Sequence, residues 1–166
     1  MPEFLHERHK PPTALERPRE LIVACAPQRS NINLSRIVRV ASCSGVSKVI
    51  ACGTAKIIGK IARDGADTIE IEVHRTLPSV LKELKRQGYQ LAGLEQTTNS
   101  QNLYTFPFNR KTVLVVGNER SGLADDVLSL LDHAVEIPVY GLPYSYNVAT
   151  AATMALYEYC RQFPRG

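Results

Sequence analysis

Short apolar runs alternate with segments of helical pattern along most of this chain. Runs typical of β-strands occupy residues 21–26, 48–53, 67–74, 89–95, 111–117 and 134–139. Segments typical of helices occupy residues 33–45, 55–65, 77–88, 123–133 and 147–163. The run KTVLVVG at 111–117 is apolar throughout, as expected of a strand buried on both faces. The alternation predicts an α/β fold, a three-layer sandwich around a mostly parallel sheet.

The length and the N-terminal composition predict one domain preceded by an arm. A chain of 166 residues suffices for one domain with its own core. Residues 1–20 hold four of the ten prolines, with four acidic and four basic residues, which predicts a loosely ordered arm before a domain at 21–166. No apolar run approaches the ~20 residues of a membrane span, and residues 1–20 lack the apolar region of a secretory signal.

The four cysteines contain no C-x-x-C pair, so the sequence indicates neither a zinc site nor a disulfide framework. We therefore expect reduced cysteines, no metal and a cytoplasmic location. Cys25 and Cys52 lie in strand-like runs, where we expect buried thiols that pack as small apolar groups.

Positive charge is concentrated in one segment. Residues 21–63 contain no Asp or Glu but seven Lys or Arg, whereas the net charge of the whole chain is +4. Such a segment is typical of a surface that faces a polyanion such as nucleic acid. The alternative is a solvated basic face on a slightly basic protein.

Polar loops follow three of the predicted strands. The sequences are PQRSNINLSRIVR from residue 27, GNERSGLADD from residue 117 and PVYGLPYSYN from residue 138. Ligands of parallel α/β sheets bind beyond the carboxyl ends of the strands, so these loops are the candidate site. None of the loops contains His, so a hydrolase triad would lack its base.

The second loop does not match a known phosphate-binding turn. GNERSG is neither G-x-G-x-x-G nor a Walker A sequence, and Glu119 would repel a pyrophosphate. A small cationic or zwitterionic ligand suits this loop better than a dinucleotide. The alternative is a purely structural turn in which Asn118 adopts a positive φ.

The first and third loops each lead into a helix. Asn33 is placed to cap the first helix, and Asn147 the last. Arg39 lies in an otherwise apolar helical segment, so it must reach solvent or pair with an anion. The small residues of VATAATMA, 148–155, predict that another backbone packs closely against that helix.

Together, the loops resemble the three motifs of the TrmH-type SPOUT RNA methyltransferases in order and spacing. An Asn six residues before an Arg is matched by Asn33 and Arg39. The G-N-E-x-x-G motif is matched at 117–122, and I-P-M-x-G-x-x-x-S-L-N-V at 137–148, with Val139 in place of Met and Tyr146 in place of Leu. The resemblance covers roughly residues 20–162.

The resemblance implies a C-terminal deep trefoil knot, an obligate homodimer and S-adenosylmethionine as cofactor. The implied reaction is methyl transfer to a ribose 2′-hydroxyl of a structured RNA. The catalytic residues would be Asn33, Arg39, Glu119, Ser145 and Asn147. The cofactor would contact Thr97, Gly117, Ile137, Val139, Tyr146 and Val148. The RNA would contact Arg29, Arg36, Lys56, Lys60, Arg63 and Arg120.

By resemblance, Arg39 would act on the 2′-hydroxyl. Because guanidinium pKa values exceed ~12, we expect Arg39 to clamp the adjacent phosphate and stabilise a developing alkoxide rather than to serve as a base.

The RNA target follows from weaker signals. GLEQTTNS at 93–100 resembles tRNA-modifying members, and the sequence shows no separate N-terminal RNA-binding domain, so tRNA is favoured over ribosomal RNA. One alternative is a non-catalytic RNA-binding protein that retains the fold, which the presence of Arg39 and motif three disfavours. Another is a nucleotide-binding α/β enzyme, which the missing glycine fingerprint disfavours.

Overall fold

The computed structural model describes residues 3–166 of the chain. The strands are β1 (Leu21–Cys25), β2 (Lys48–Cys52), β3 (Glu70–His74), β4 (Gln90–Leu94), β5 (Gln101–Asn102), β6 (Thr112–Val116) and β7 (His133–Glu136). The helices are α1 (Asn31–Cys43), α2 (Gly59–Ala62), α3 (Gly65–Thr68), α4 (Pro78–Arg86), α5 (Asp125–Leu128) and α6 (Val148–Gln162).

The strands form one seven-stranded sheet in the order β3-β2-β1-β6-β4-β7-β5. Each neighbouring pair is parallel, which confirms the predicted mostly parallel sheet. The central strands β1 and β6 are buried along their whole length, as the apolar run at 111–117 predicts. Since all strands run the same way, their carboxyl ends meet along one edge of the sheet.

Alternate side chains of the strands enter two separate cores, one on each face of the sheet. Leu21 and Val23 of β1 pack into the core that includes residues of α1 and α6. Ile22 and Ala24 pack into the other core, with residues of α4 and α5. This division produces the predicted three-layer sandwich.

The first helix begins two residues earlier than predicted. Ser30, not Asn33, is its N-cap, because the Ser30 hydroxyl accepts a hydrogen bond from the Asn33 N–H at 3.2 Å. The prediction that Asn33 caps this helix is therefore wrong, and the Asn33 side chain is left for longer-range contacts. Asn147 does cap α6, because its Oδ1 accepts hydrogen bonds from the N–H groups of Ala149 and Thr150.

The predicted helix at 55–65 is wrong. The segment holds α2 and begins α3, two separate four-residue helices. Between them Arg63 adopts a φ of +52°, which an α-helix does not allow. Gly65 then lies so close to α1 that an added Cβ would be 3.3 Å from the Cα of Arg39. Because α3 extends to Thr68, β3 begins at Glu70, three residues after the start of the predicted run.

Two further elements differ from prediction. The helix predicted at 123–133 is reduced to the four residues of α5, and β7 already begins at His133. The two-residue strand β5 was not predicted, because it is too short to show an alternating pattern.

The N-terminal segment is exposed at first and then attached to the domain. Residues 3–14 are exposed and contain neither helix nor strand. Arg19 is buried and donates hydrogen bonds to the carbonyls of Ser44, at 2.9 Å, and Phe163. Arg17 donates to the carbonyl of Gly166 at 3.0 Å. The last part of the predicted arm is thus fixed to the domain, and the boundary at residue 20 stays a prediction.

Charged side chains cover the outer strand β3. Glu72 forms an ion pair with Lys48 and lies 3.0 Å from the Nε2 of His74. Hydrogen bonding to Lys48 and then to His74 lowers the pKa of Glu72 to about 2. Lys48 also lies 3.4 Å from Glu70. Charges of this kind discourage pairing with another strand at a sheet edge.

The four cysteines are unpaired, and Cys25 and Cys52 are buried as predicted. Burial raises the pKa of the Cys25 thiol to about 12 and that of the Cys52 thiol to about 11. Within residues 3–166, no helix is both long and apolar enough to cross a membrane.

Candidate active site

A cavity of about 240 Å³ opens at the carboxyl edge of the sheet, beyond β4, β6 and β7. Its apolar wall comes from the ends of these strands and the start of α6, and it includes Val116, Val135 and Val148. Of the residues predicted to bind the cofactor, those that line it are Gly117, Ile137, Val139, Tyr146 and Val148. Thr97 lines a different cavity, together with His133, so the structure does not bring it to this one.

Glu119 joins the second loop to the first. Its carboxylate accepts hydrogen bonds from the backbone N–H groups of Arg29, at 2.8 Å, and Ser30, at 2.9 Å. The amide nitrogen of Asn33 donates a third at 3.2 Å. Burial raises the pKa of Glu119, but these hydrogen bonds outweigh it and hold the pKa below its usual range. The carboxylate is therefore ionised near neutral pH and its oxygens are held in place.

Asn33 in turn joins the first loop to the third. Its Oδ1 accepts a hydrogen bond from the Nδ2 of Asn147 at 3.3 Å, while its own amide nitrogen donates to Glu119. The Oδ1 of Asn147 caps α6. The side-chain oxygen and nitrogen of both Asn33 and Asn147 are therefore each oriented by a hydrogen-bond partner. Glu119, Asn33 and Asn147 therefore connect three loops that are far apart in sequence. Ser145 lines the cavity two residues before Asn147.

The turn at 117–122 is closed by contacts between backbone atoms. Asn118 and Gly122 exchange backbone hydrogen bonds, each 3.0 Å long, and the side chain of Asn118 accepts from the N–H groups of Arg120 and Ser121. An added Cβ on Gly117 would lie 2.7 Å from the carbonyl carbon of Gly122. The positive φ of this turn, +67°, belongs to Gly122 and not to Asn118, unlike the purely structural turn given as the alternative.

Two residues that sequence reasoning missed hold this turn. The Nε2 of Gln28 donates to the carbonyl of Gly117 at 2.8 Å, while its Oε1 is buried without a partner among the described residues. Glu95 lines the cavity and accepts a hydrogen bond from the N–H of Leu123 at 3.0 Å. Glu95 directly follows β4 and Gln28 lies three residues after β1, and these positions beyond strand ends were the signal in the sequence. Their partners are backbone atoms remote in sequence, which no local pattern reveals.

Arg39 is not part of this cavity. It lies in α1 with an exposed side chain, and it makes no hydrogen bond or ion pair within residues 3–166. Of the residues predicted to contact RNA, Arg120 lines the cavity. The others are exposed on the first loop, on α1 and on the segment around α2: Arg29, Arg36, Lys56, Lys60 and Arg63.

Ser35 has a structural role close to this site. It is fully buried, its hydroxyl donates to the carbonyl of Asn31 at 2.6 Å, and it accepts from the N–H of Ile58 at 2.8 Å. Asn31 also accepts, through its Oδ1, from the N–H of Lys56 at 3.1 Å. These bonds attach the basic segment before α2 to the first turn of α1.

The cavity combines apolar walls with carboxylates at its edge. Glu95, Glu119 and Glu136 all line it, and Arg120 is the one cationic residue among its lining residues. Such a site suits an apolar ligand that carries a positive charge. Among residues 3–166, no group of three or more His, Cys, Asp and Glu side chains could hold a metal ion.

Most of the chain is similar to proteins of known family. Residues 20–157 match the model of the SpoU rRNA Methylase family. The tRNA (guanosine(18)-2'-O)-methyltransferase of Escherichia coli (strain K12) is 30% identical over 133 residues, which are 78% of this chain and 58% of that protein. The chain thus spans little more than half the length of this relative.

Solved structures agree with this result. The TrmH/SpoU tRNA modifying enzyme of A. aeolicus is 30% identical and superimposes with a TM-score of 0.84, covering 90% of this chain and 78% of that one. The SpoU methyltransferase AviRb from Streptomyces viridochromogenes, in complex with the cofactor AdoMet, is 26% identical with a TM-score of 0.77, covering 92% and 64%. The resemblance of the three loops to TrmH-type proteins is confirmed, and the chain belongs to the SpoU rRNA Methylase family.

Proposed function

We propose that this protein transfers a methyl group from S-adenosylmethionine to a ribose 2′-hydroxyl of a structured RNA, with tRNA favoured over ribosomal RNA. The observation that carries the proposal is the bonded unit of Glu119, Asn33 and Asn147, which joins the three motif loops at one cavity. The E. coli relative, named as a methyltransferase of a tRNA guanosine, supports both the reaction and the preference for tRNA.

The cavity fits S-adenosylmethionine in its chemistry. The valines at the strand ends suit the apolar faces of an adenosine, and the carboxylates at the edge suit a sulfonium cation. The close approach of Gly117 to Gly122 leaves backbone groups, rather than a side chain, exposed to a ligand there. When bound, the cofactor supplies an electrophilic methyl group next to a positive sulfur. AviRb, a relative in complex with AdoMet, supports this assignment.

The protein's own residues position the acceptor and do not provide an obvious base. Glu119 is occupied by three hydrogen bonds, so it serves to position the first loop rather than to remove the proton. Ser145 lines the cavity and orients the ribose, while Asn147 acts from behind it by fixing Asn33 and the start of α6. Arg39 clamps the phosphate next to the target ribose and stabilises the alkoxide as it forms, while the proton leaves to phosphate or water.

The position of Arg39 supports a homodimer. Its side chain is exposed and outside the cavity of its own chain, so we assign it to the site of a partner subunit. Helices α1 and α6 pack against each other, and Ile32 of α1 and Tyr157 of α6 expose 45% and 78% of their surface. We place the dimer contact on this face, within a catalytic domain at 21–166.

A trefoil knot in the C-terminal segment is also part of the proposal. After β7 the chain forms the loop at 137–147, which borders the ends of β4 and β6, and then returns into α6 beside α1. A trefoil knot further requires that α6 pass through a loop formed by an earlier part of the chain, and we infer that it does so here.

Methyl transfer from tritium-labelled S-adenosylmethionine tests the function. Purified protein is incubated with bulk tRNA and, separately, with ribosomal RNA, and the labelled ribose is mapped by alkaline hydrolysis, which 2′-O-methylation blocks. We expect label in a ribose of tRNA. Label in ribosomal RNA alone would overturn the tRNA preference. RNA binding without any transfer would favour a non-catalytic RNA-binding protein instead.

A further inference from the structure

Four exposed tyrosines lie in the cavity lining or on segments next to it, and three of them expose more than half of their surface. Tyr140, Tyr144, Tyr104 and Tyr146 expose 81%, 79%, 63% and 42% of their surface. By contrast, Tyr159 is buried and its hydroxyl donates to the carbonyl of Arg110. Exposed rings of this size contribute nothing to a core, so their position beside the cavity calls for another explanation.

The backbone brings these tyrosines to one place. Strands β5 and β7 are parallel, with Asn102 opposite Glu136, and the N–H of Leu103 donates to the carbonyl of Glu136 at 2.9 Å. Tyr104 and Tyr140 therefore follow adjacent strand ends, and hydrogen bonding to Tyr140 raises the pKa of Tyr104.

The loop that holds Tyr144 is fixed to the sheet as well. The Nε2 of Gln96 donates to the carbonyl of Tyr144 at 3.2 Å, and Gln96 itself lines the cavity. Tyr146 lines the cavity too. The tyrosines are thus attached to the site and do not belong to a remote surface.

Two arginines expose positive charge on the loops beside the cavity. Arg120 lines the cavity and is exposed, and Arg29 is exposed on the neighbouring loop, where only its backbone N–H is used by Glu119. Flat aromatic rings and exposed guanidinium groups on the loops around one cavity are the features that bind unpaired nucleotides, through stacking and phosphate contacts. A second copy of this chain is assigned above to the face of α1 and α6 that exposes Ile32 and Tyr157, so it does not account for these rings.

We propose that Tyr140 and Tyr144, together with Tyr104, form a stacking platform for an unpaired RNA base adjacent to the ribose that enters the cavity. This inference rests on the proposed function, because it assigns the substrate's neighbouring base to a surface of the same site.

A stacking assay with full-length protein tests the platform. The probe is a short single-stranded oligoribonucleotide that contains 2-aminopurine, whose fluorescence falls when it stacks on an aromatic ring. The double variant Tyr140→Ala/Tyr144→Ala is compared with Tyr140→Phe/Tyr144→Phe, which keeps both rings, and with Val73→Ala, an exposed apolar residue on β3 at the opposite edge of the sheet.

We expect quenching by the wild type, the Phe variant and Val73→Ala. The Ala variant should bind the probe at least about fivefold more weakly, since a base stacked on an aromatic side chain contributes ~1–3 kcal/mol. The KM for tRNA should rise correspondingly, while the affinity for S-adenosylmethionine, measured by calorimetry, stays unchanged.

Three results would overturn the platform. Normal quenching and a normal KM in the Ala variant would reject it while leaving the methyltransferase function intact. A shift of the Ala variant from dimer to monomer in sedimentation would show that the tyrosines contact a second copy. If the Phe variant, which loses only the hydroxyls, bound the probe as weakly as the Ala variant, stacking on the rings would be excluded. Failure of the wild type to methylate any RNA would instead reject the proposed function.

Discussion

The Nδ2 of Asn147 donates a hydrogen bond to the Oδ1 of Asn33 at 3.3 Å, across 114 residues of sequence. Through Asn33 this bond continues to the carboxylate of Glu119. The three motif loops of the site are therefore held by side-chain amides rather than by helix or strand pairing.

Replacement of Asn33 should separate the loops. Asn33→Ala removes the donor to Glu119 and the acceptor of Asn147, and its site is buried. We expect a loss of about 1–3 kcal/mol in the free energy of unfolding, from urea denaturation, and a large fall in methyl transfer. Asn109→Ala is the control, because that side chain is exposed and forms no hydrogen bond within residues 3–166. Equal stability of the two variants would contradict the bonded unit.

The pH dependence of stability should reveal the ionised state of Glu119. Its pKa lies below the unfolded value of about 4.3, so the carboxylate stabilises the fold above that pH, and this stabilisation disappears as the pH falls through the folded pKa. The difference in unfolding free energy between wild type and Glu119→Gln should thus be largest above about pH 5 and shrink as the pH falls below the unfolded pKa.

A second carboxylate provides the control for this experiment. The pKa of Glu72 is lowered to about 2 by Lys48 and His74, at the sheet edge away from the cavity. Glu72→Gln should therefore show an acid-dependent difference of the same sign but retain methyl transfer, which Glu119→Gln should lose. If the difference in unfolding free energy between wild type and Glu119→Gln did not change with pH, the ionised state assigned to Glu119 would be refuted.

The turn of the second loop should not tolerate a side chain at Gly117. Because an added Cβ would lie 2.7 Å from the carbonyl carbon of Gly122, the backbone must move. We expect Gly117→Ala to cost about 1–3 kcal/mol and to weaken S-adenosylmethionine binding at least about tenfold in calorimetry. Gly59→Ala is the matched control, since a Cβ there meets no atom within 4 Å and alanine favours the helix. Unchanged cofactor affinity in Gly117→Ala would exclude this turn from the binding site.

Arg39 should affect turnover and not cofactor binding. Since it lies outside the cavity of its own chain, Arg39→Ala is expected to leave the affinity for S-adenosylmethionine unchanged and to lower kcat by about 10²-fold or more. Arg86→Ala, on the exposed face of α4, serves as the control with an equal change of charge. In mixed dimers, an Arg39→Ala subunit combined with a Gly117→Ala subunit should recover one working site. Normal turnover by Arg39→Ala would remove the residue from the mechanism.

RNA binding through the basic segment should depend steeply on salt. Each Lys that contacts a phosphate contributes about 1 to the slope of log K against log salt, so Lys56→Glu/Lys60→Glu should flatten the slope by about 2. The control is Lys82→Glu on α4. Helix α4 packs on the face of the sheet opposite to α1. Filter binding at several salt concentrations measures the slope. An unchanged slope would place the RNA elsewhere.

Much of this arrangement was predictable, because the rule for parallel sheets locates ligands at strand ends without knowledge of side-chain contacts. That rule and the loop sequences place Gly117, Glu119 and Ser145 in one site. The apolar pattern of the long elements likewise predicts the layers. These predictions depend on local periodicity and on a general topological rule, both of which are visible in a single sequence.

The errors arise where a long-range contact overrides a local preference. Asn33 has the chemistry of an N-cap, but Ser30 takes that role while Asn33 bonds to Glu119, 86 residues away. Segment 55–65 has helical spacing, but the close packing of Gly65 on α1 and the φ of Arg63 divide it. Gln28 and Glu95 act on distant backbone atoms, a contact that leaves no pattern in the sequence.

The series of bonds from Glu119 through Asn33 to Asn147 also constrains how such a protein can diverge. Replacing any one of these three residues leaves its neighbour in the series with a donor or acceptor that has no partner. Substitutions that persist in evolution should therefore change two of these positions together. The exposed rings of Tyr140 and Tyr144 carry no such obligation, because neither ring takes part in this series of bonds. Selection can therefore change which RNA is recognised at the rim without disturbing the inner loops.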